Sequence, residues 1–140
     1  MKIVNKKAKF NYTIEERIEA GIVLTGGEAR AIRTGHVNLA NSYARILQNE
    51  VYLVNADVPI TGAKNYDATH MRKLLLKKRE IGNLEVKIKQ KKLTLVPTAV
   101  YTKGRLVKLE LGLARSKREF EKRQVIKSRD MKRDLEKELR

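Results

Sequence analysis

The sequence predicts a mainly β protein with inserted helices, built as a closed or partly closed barrel of the OB type and followed by a basic C-terminal tail. Short β-rich runs recur up to residue 114, with turn formers between them. Two segments have helical rather than strand spacing. From residue 115 onward glycine, proline and the regular apolar pattern disappear. The spacing of apolar residues does not by itself distinguish the barrel from a small α+β sandwich.

The N-terminal part of the chain predicts strands followed by a small helix. Large side chains alternate with polar ones from Phe10 to Ile14, so we expect one or two strands over residues 10–24, closed by a glycine turn. Residues 28–34 have helical spacing. Gly35 follows them, at a position where a left-handed cap is accessible to glycine.

The middle of the chain predicts a hairpin, a loop and a helical segment. The β-rich runs 43–47 and 51–54 are separated by three polar residues, which is the length of a hairpin connection. Pro59 to Thr69 contains turn formers without periodicity and predicts an exposed loop. Residues 71–92 carry leucine and isoleucine nearer a helical period, so we expect two helical pieces or one bent helix there.

The clearest hairpin precedes the tail. Residues 93–101 and 106–114 flank a glycine-containing turn, and the second run alternates strictly between apolar and polar residues. Residues 115–140 contain eleven basic and six acidic residues with scattered apolar side chains. We therefore expect a barrel domain at 1–114 and a tail at 115–140 that is disordered alone and helical on a partner.

The charge predicts a polyanionic partner. The 140 residues include 32 Lys and Arg against 16 Asp and Glu, a net charge of +16 with a pI near 10.2. Nucleic acid is the first candidate and an anionic membrane surface the second, but no apolar run is long enough to span a membrane. Cysteine is absent, which excludes disulfides and thiolate sites and favours a cytoplasmic location.

The basic residues are clustered rather than spread as a solvated surface. Like charges at this density repel one another unless a polyanion neutralises them. The three clusters precede the first strand, occupy the expected helical segment and begin the tail: Lys6, Lys7 and Lys9; Arg72, Lys73, Lys77, Lys78 and Arg79; and Arg115, Lys117, Arg118, Lys122 and Arg123.

Residues suited to catalysis are few. His36 and His70 are isolated from any nucleophile, and no carboxylates are spaced for a metal, so we predict no enzymatic activity, no cofactor and no metal site. Four tyrosines, at positions 12, 43, 52 and 101, lie in strand patterns and are expected in the core rather than in base stacking. Recognition of folded RNA by shape and backbone is therefore favoured.

Seven runs of residues, in order and spacing, resemble the small protein B family, also called the SsrA-binding proteins. Each run is weak alone, but together they cover nearly the whole chain. They are Asn5 to Tyr12, Glu19 to Gly26, Val37 to Leu39, Ser42 to Arg45, Arg72 to Leu76 with Lys78 to Ile81, Leu93 to Pro97, and Lys122-Arg123 followed by Ile126-Lys127.

The resemblance implies an adaptor of ribosome rescue by trans-translation. Its OB-type barrel would bind the tRNA-like domain of tmRNA at the elbow and deliver alanyl-tmRNA with elongation factor Tu. Its tail would enter the empty mRNA channel and the 16S rRNA decoding centre of a stalled ribosome. The alternatives are a structural ribosomal protein, which would share the charge, barrel and tail, and an RNA-modifying enzyme, which would need a cofactor pocket or nucleophile.

The resemblance also implies particular site residues. RNA-contacting positions of the family fall on Asn5, Glu19, Lys73, Leu75 and Lys108, to which the basic clusters add Lys7 and Arg72. The decoding-centre motif falls on Phe120, Glu121, Lys122 and Arg123, with Lys117, Arg118 and Lys127 as basic neighbours in the mRNA channel. Glu19 suits RNA because a carboxylate accepts hydrogen bonds from base donors.

Overall fold

A computed structural model describes residues 1–62 and 64–117, which form an antiparallel barrel with three helices. The seven strands are β1 (Lys2–Val4), β2 (Tyr12–Ile22), β3 (Tyr43–Leu47), β4 (Glu50–Val54), β5 (Arg72–Leu75), β6 (Thr94–Lys103) and β7 (Leu106–Ser116). The helices are α1 (Lys6–Asn11), α2 (Gly26–Arg33) and α3 (Lys78–Lys91).

Six of the strands close into a ring. Its order is β6, β3, β4, β5, β2 and β7, and the pairing of β7 with β6 completes it, while β1 adds to β6 beside β3. Closure leaves these strands without the unpaired edges of an open sheet. This confirms the mainly β class and the barrel over the sandwich, whereas the assignment to the OB type stays a prediction.

The core inside the ring consists of side chains from every second position of the strands. Leu109, Leu111 and Leu113 of β7 are at most 1% exposed, as the strict alternation predicts. They pack with apolar residues of the other strands and with Ile32 of α2. None of the four tyrosines named above is buried, and Tyr43 is 42% exposed, so the predicted core position is wrong for positions 43, 52 and 101. Tyr12 is half-buried and packs against a separate small cluster that contains Val96.

The turns follow from local sequence. Gln48 and Asn49 connect β3 to β4 with positive φ values of 50° and 61°, the two-residue geometry that matches strand twist. Gly104, with φ of 62°, lies in the β6–β7 turn and confirms that hairpin. Thr25 and Glu28 cap α2 reciprocally, and residues 59–62 and 64–69 form neither helix nor strand, as expected.

The structure corrects two elements. Residues 6–11, partly assigned to a strand, form α1, because the side chain of Asn5 accepts a hydrogen bond from the Ala8 backbone N–H and caps the helix. The two helical pieces or one bent helix expected over 71–92 are instead strand β5 followed by one helix, α3. β5 fills the gap between β4 and β2, a closure requirement that residue spacing does not reveal.

The barrel also extends two residues beyond its predicted end. β7 continues through Ser116, which pairs with Tyr12, whereas the sequence predicted that this strand ends at residue 114. The division into a barrel domain and a tail stays a prediction. The backbone N–H of Lys117 donates to the Asn11 carbonyl at 2.8 Å. The chain thus leaves the barrel beside α1.

Candidate nucleic-acid interface

One outer face of the barrel crosses four neighbouring strands. The register aligns Leu75 of β5 with Gly21 of β2, Gly21 with Lys108 of β7, and Lys108 with Tyr101 of β6. Their neighbours Leu74, Ala20, Leu109 and Val100 are buried, so strand alternation turns the aligned residues outward. This row, together with Lys73 and Glu19, is called the β5–β2–β7–β6 face below.

Glu19 is the carboxylate at the centre of this face. The Tyr101 hydroxyl donates a hydrogen bond to Glu19 Oε2, and Lys103 Nζ lies 3.7 Å from Glu19 Oε1. The Tyr101 hydrogen bond, with the positive charges of Lys103 and Lys108, holds the pKa of Glu19 below its ordinary value. Glu19 is thus an ionised acceptor with a 41% exposed side chain.

Tyr101 orients this carboxylate and was not predicted as a site residue. Burial, and then its hydrogen bond to Glu19, raises the pKa of the Tyr101 phenol to about 12, so the hydroxyl keeps its proton and remains a donor. The alternation of β6 indicates which residues face outward. Only the pairing of β7 with both β2 and β6 brings Tyr101 within reach of Glu19.

Lys73 and Leu75 occupy the β5 edge of the face. Leu75 is 54% exposed and is paired with Gly21 of β2. Its side chain lies over Gly21, where an added Cβ would stand 3.1 Å from the Leu75 Cβ. Lys73 Nζ lies 3.7 Å from Glu50 Oε2, a pair that is solvent-accessible and therefore weak.

The second carboxylate of the face has internal partners. Glu110 Oε1 accepts a hydrogen bond from the Thr98 hydroxyl at 2.8 Å and lies 3.3 Å from Arg17 Nε. Its side chain is 25% exposed, less than that of Glu19. Glu19 is therefore the more accessible acceptor for an incoming donor.

Two predicted RNA contacts lie inside the protein. Asn5 is 5% exposed, and its Nδ2 donates to the carbonyls of Leu39 and Pro97. Arg72 is 1% exposed, and its guanidinium is buried against Glu28. Both side chains have their hydrogen-bond partners within the fold, where they support the barrel, and their role as RNA contacts stays a prediction.

The buried residues Arg72 and Glu28 form a polar cluster with the half-buried Tyr66 and His70. The sequence pattern leaves His70 isolated and does not predict this cluster. Burial by itself raises the pKa of Glu28, but hydrogen bonds from the Thr25 N–H, Arg72 and His70 outweigh it and hold that pKa at about 2. The carboxylate is thus ionised opposite the guanidinium, the condition under which two buried charges are tolerated.

Lys7 and Lys117 lie away from this face, around α1. Lys7 is exposed and donates to Asn41 Oδ1 at 2.9 Å, and Lys117 Nζ donates to the Lys9 carbonyl at 3.0 Å. The remaining predicted ribosome contacts lie outside the described residues: Arg118, Phe120, Glu121, Lys122, Arg123 and Lys127.

The described part of the chain contains no group of three His, Cys, Asp or Glu side chains able to hold a metal ion. Across residues 1–62 and 64–117, none of the helices combines the length and apolar character needed to cross a membrane.

Comparison with known proteins places the chain among related sequences along almost its full length. The family model described as SmpB protein matches residues 2–140. The SsrA-binding protein of Chloroflexus aggregans is 46% identical over 140 residues, covering 97% of this chain and 89% of the relative. That of Gloeobacter violaceus is 47% identical over 139 residues, covering 97% and 91%. A solved structure described as "tmRNA-SmpB: a journey to the center of the bacterial ribosome" aligns with a TM-score of 0.69 and 40% identity over 84% of this chain and 85% of that one.

Proposed function

The chain belongs to the SmpB protein family, and on that basis we propose that it binds the tRNA-like domain of tmRNA and delivers it to stalled ribosomes in trans-translation. Its relatives are named SsrA-binding proteins, and the aligned solved structure concerns tmRNA and SmpB on the bacterial ribosome. The proposed role is one of binding in the cytoplasm, without catalysis or a cofactor.

The observation that carries the proposal is the convergence of Glu19, Lys73, Leu75 and Lys108 on the β5–β2–β7–β6 face. These residues come from three distant parts of the sequence, and barrel closure places them on three adjacent strands, β5, β2 and β7. A net charge of +16 supplies long-range attraction for RNA, while the face supplies local chemistry.

Each group on the face would make a different kind of contact. Lysine is a mobile point charge that suits phosphate oxygens, so Lys73 and Lys108 would contact the RNA backbone. Glu19 would accept hydrogen bonds from base or sugar donors, oriented by Tyr101. Leu75 would pack against a base or ribose. Phosphates would thus position the RNA, and the contacts of Glu19 and Leu75 would supply selectivity.

We assign the ribosome-directed part of the function to the segment after residue 116. In this proposal the segment enters the empty mRNA channel and the decoding centre through Phe120 to Arg123, with basic residues before and after that motif. Its starting point at Lys117 lies beside α1, away from the β5–β2–β7–β6 face. That separation supports simultaneous contact with tmRNA and the ribosome, with elongation factor Tu joining through alanyl-tmRNA.

The alternative of a structural ribosomal protein is not favoured, because the matched relatives are SsrA-binding proteins. A gel-shift comparison of the tRNA-like domain of tmRNA with elongator tRNA tests the proposal, and tighter binding to the former is expected. Equal affinity for both RNAs would contradict it. Stoichiometric presence in all purified 70S particles, rather than on stalled ribosomes alone, would support the ribosomal-protein alternative.

A further inference from the structure

β5 is short and has few backbone pairs to fix its register. It contains only Arg72–Leu75, with three residues paired to β4 and two paired to β2. Such a strand is poorly specified by its hydrogen-bond ladder alone. The side chains of β5 must therefore contribute to its alignment.

The hydrogen bonds of the Arg72 side chain fix the register of β5, because they form only when Arg72 lies at its observed place in the barrel. Its Nε donates to Glu28 Oε2 at 2.6 Å, and its Nη1 donates to the Ala56 and His70 carbonyls at 2.8 and 3.2 Å. Its Nη2 donates to the Tyr66 hydroxyl at 3.0 Å and the Ala68 carbonyl at 2.9 Å. All five guanidinium N–H groups thus have acceptors.

Both carboxylate oxygens of Glu28 also accept hydrogen bonds. Oε1 accepts from the Thr25 backbone N–H at 2.9 Å, and Oε2 also accepts from the Tyr66 hydroxyl at 3.1 Å. His70 Nε2 lies 2.8 Å from the same oxygen. The pair therefore ties β5 to the N-terminus of α2 and to the loop before β5.

A shift of β5 by one residue would reverse its two faces. Arg72 and Leu74 point inward, while Lys73 and Leu75 point outward. After a one-residue slip, Lys73 would enter the core in the place of Arg72 or Leu74, and Glu28 would lose its guanidinium partner. An uncompensated buried carboxylate is strongly unfavourable, so the Glu28–Arg72 pair penalises this alternative.

We propose that the Glu28–Arg72 pair is a register lock, which positions Lys73 and Leu75 on the RNA-facing side of β5. This inference deepens the proposed function and rests on it for the RNA, although the register itself can be tested without RNA. Neither residue contacts RNA in this proposal. Both are positioning residues that act through the orientation of their neighbours.

Replacing both residues of the pair by apolar side chains tests the register of β5 in a protein that is still expected to fold. Exchange of a complete buried ion pair for apolar groups is often tolerated energetically, because no lone charge remains. The variant Glu28→Leu/Arg72→Met is therefore expected to fold, as checked by circular dichroism, while the ion-pair part of the penalty against the slipped register is removed and the cost of burying Lys73 remains.

Thiol labelling measures which side of β5 faces solvent, since the chain has no cysteine of its own. With the pair intact, Leu75→Cys should react with a soluble maleimide at least about tenfold faster than Leu74→Cys, whose position is buried. In the apolar-pair background this ratio should fall, because one of the two penalties against the slip is gone. An unchanged ratio in a folded apolar-pair protein would overturn the register lock.

Binding to the tRNA-like domain gives a second measurement if Leu74→Cys does not fold. With the pair intact, Lys73→Ala should weaken binding; in the apolar-pair background it should have little further effect. Val96→Ala, in the separate small cluster near α1, is the matched control and should leave the Lys73→Ala effect intact. If the effects of the apolar pair and of Lys73→Ala on binding are additive, the register lock is contradicted and the proposed function is not. If the unaltered protein does not prefer tmRNA, the proposed function is contradicted.

Discussion

The Tyr101 hydroxyl on β6 donates a hydrogen bond to the Glu19 carboxylate on β2, reaching across the intervening strand β7. The same carboxylate lies beside Lys103, so it is both oriented and kept ionised within a positively charged surface. This arrangement provides a fixed acceptor among cations. A basic surface that bound RNA through phosphates alone would have no need of such an acceptor.

Glu19→Ala is expected to weaken binding to the tRNA-like domain by about 1 to 3 kcal/mol without flattening its salt dependence, because a carboxylate releases no counterions from RNA. Gel shifts at several salt concentrations measure both quantities. If Glu19→Ala tightens binding instead, Glu19 is a repulsive surface charge and not a contact.

Tyr101→Phe keeps the ring and removes only the donor to Glu19. The pKa of Glu19 should then rise toward its ordinary value, and affinity for the tRNA-like domain should fall in the same direction as for Glu19→Ala. Carboxyl titration by NMR measures the first change and gel shift the second. An unchanged affinity together with the shifted pKa would show that orientation by Tyr101 is not needed for binding.

Lys108→Ala and Lys73→Ala should each reduce the salt slope of RNA binding by about one, the signature of one lost phosphate contact. Lys73→Ala should have the smaller effect on affinity, because Lys73 must first release Glu50. Lys89→Ala, on α3 and paired with Glu85, is a control of equal charge change. A slope change in the control as large as in the two variants would indicate diffuse attraction rather than a defined face.

Deletion of residues 118–140 should leave binding to the tRNA-like domain nearly intact and abolish tagging on stalled ribosomes. The cut follows β7, whose last residue Ser116 is paired with Tyr12, so the barrel remains complete. Gel shift and an in vitro tagging reaction measure the two activities. Loss of RNA binding by the truncated chain would contradict this division of labour.

Glu28 should make folding stability depend on pH in the acid range. Its pKa is about 2 in the fold against an ordinary value of 4.5, so its contribution is present above about pH 4.5 and is lost as pH falls toward 2. The slope for one such carboxyl is at most about 1.4 kcal/mol per pH unit. Urea unfolding from pH 2 to 6 should show a smaller slope in Glu28→Gln than in the unaltered protein.

The matched control for this prediction is Glu85→Gln, which alters an exposed carboxylate in an i,i+4 pair on α3. It should retain the slope of the unaltered protein. An equal loss of slope in both variants would assign the acid sensitivity to surface charge in general and not to the Glu28–Arg72 pair.

The sequence alone determined the features that depend on local pattern and total charge. The alternation from Leu106 to Ala114 predicted β7 with its inward leucines, and Gly35 and Gly104 marked turns where the structure has positive φ. These features are predictable because side-chain period and backbone sterics act between near neighbours. The +16 charge likewise indicated a polyanionic partner without any coordinates.

Only the tertiary structure decided the features that depend on residues far apart in the chain. Arg72 resembles its basic neighbours in the sequence, yet it lies in the core because Glu28, 44 positions earlier, meets it there. Its segment became a strand because barrel closure required one between β4 and β2. The link from Tyr101 to Glu19 arises in the same way, since strand order brings distant side chains together, and strand order is fixed by the packing of the whole barrel.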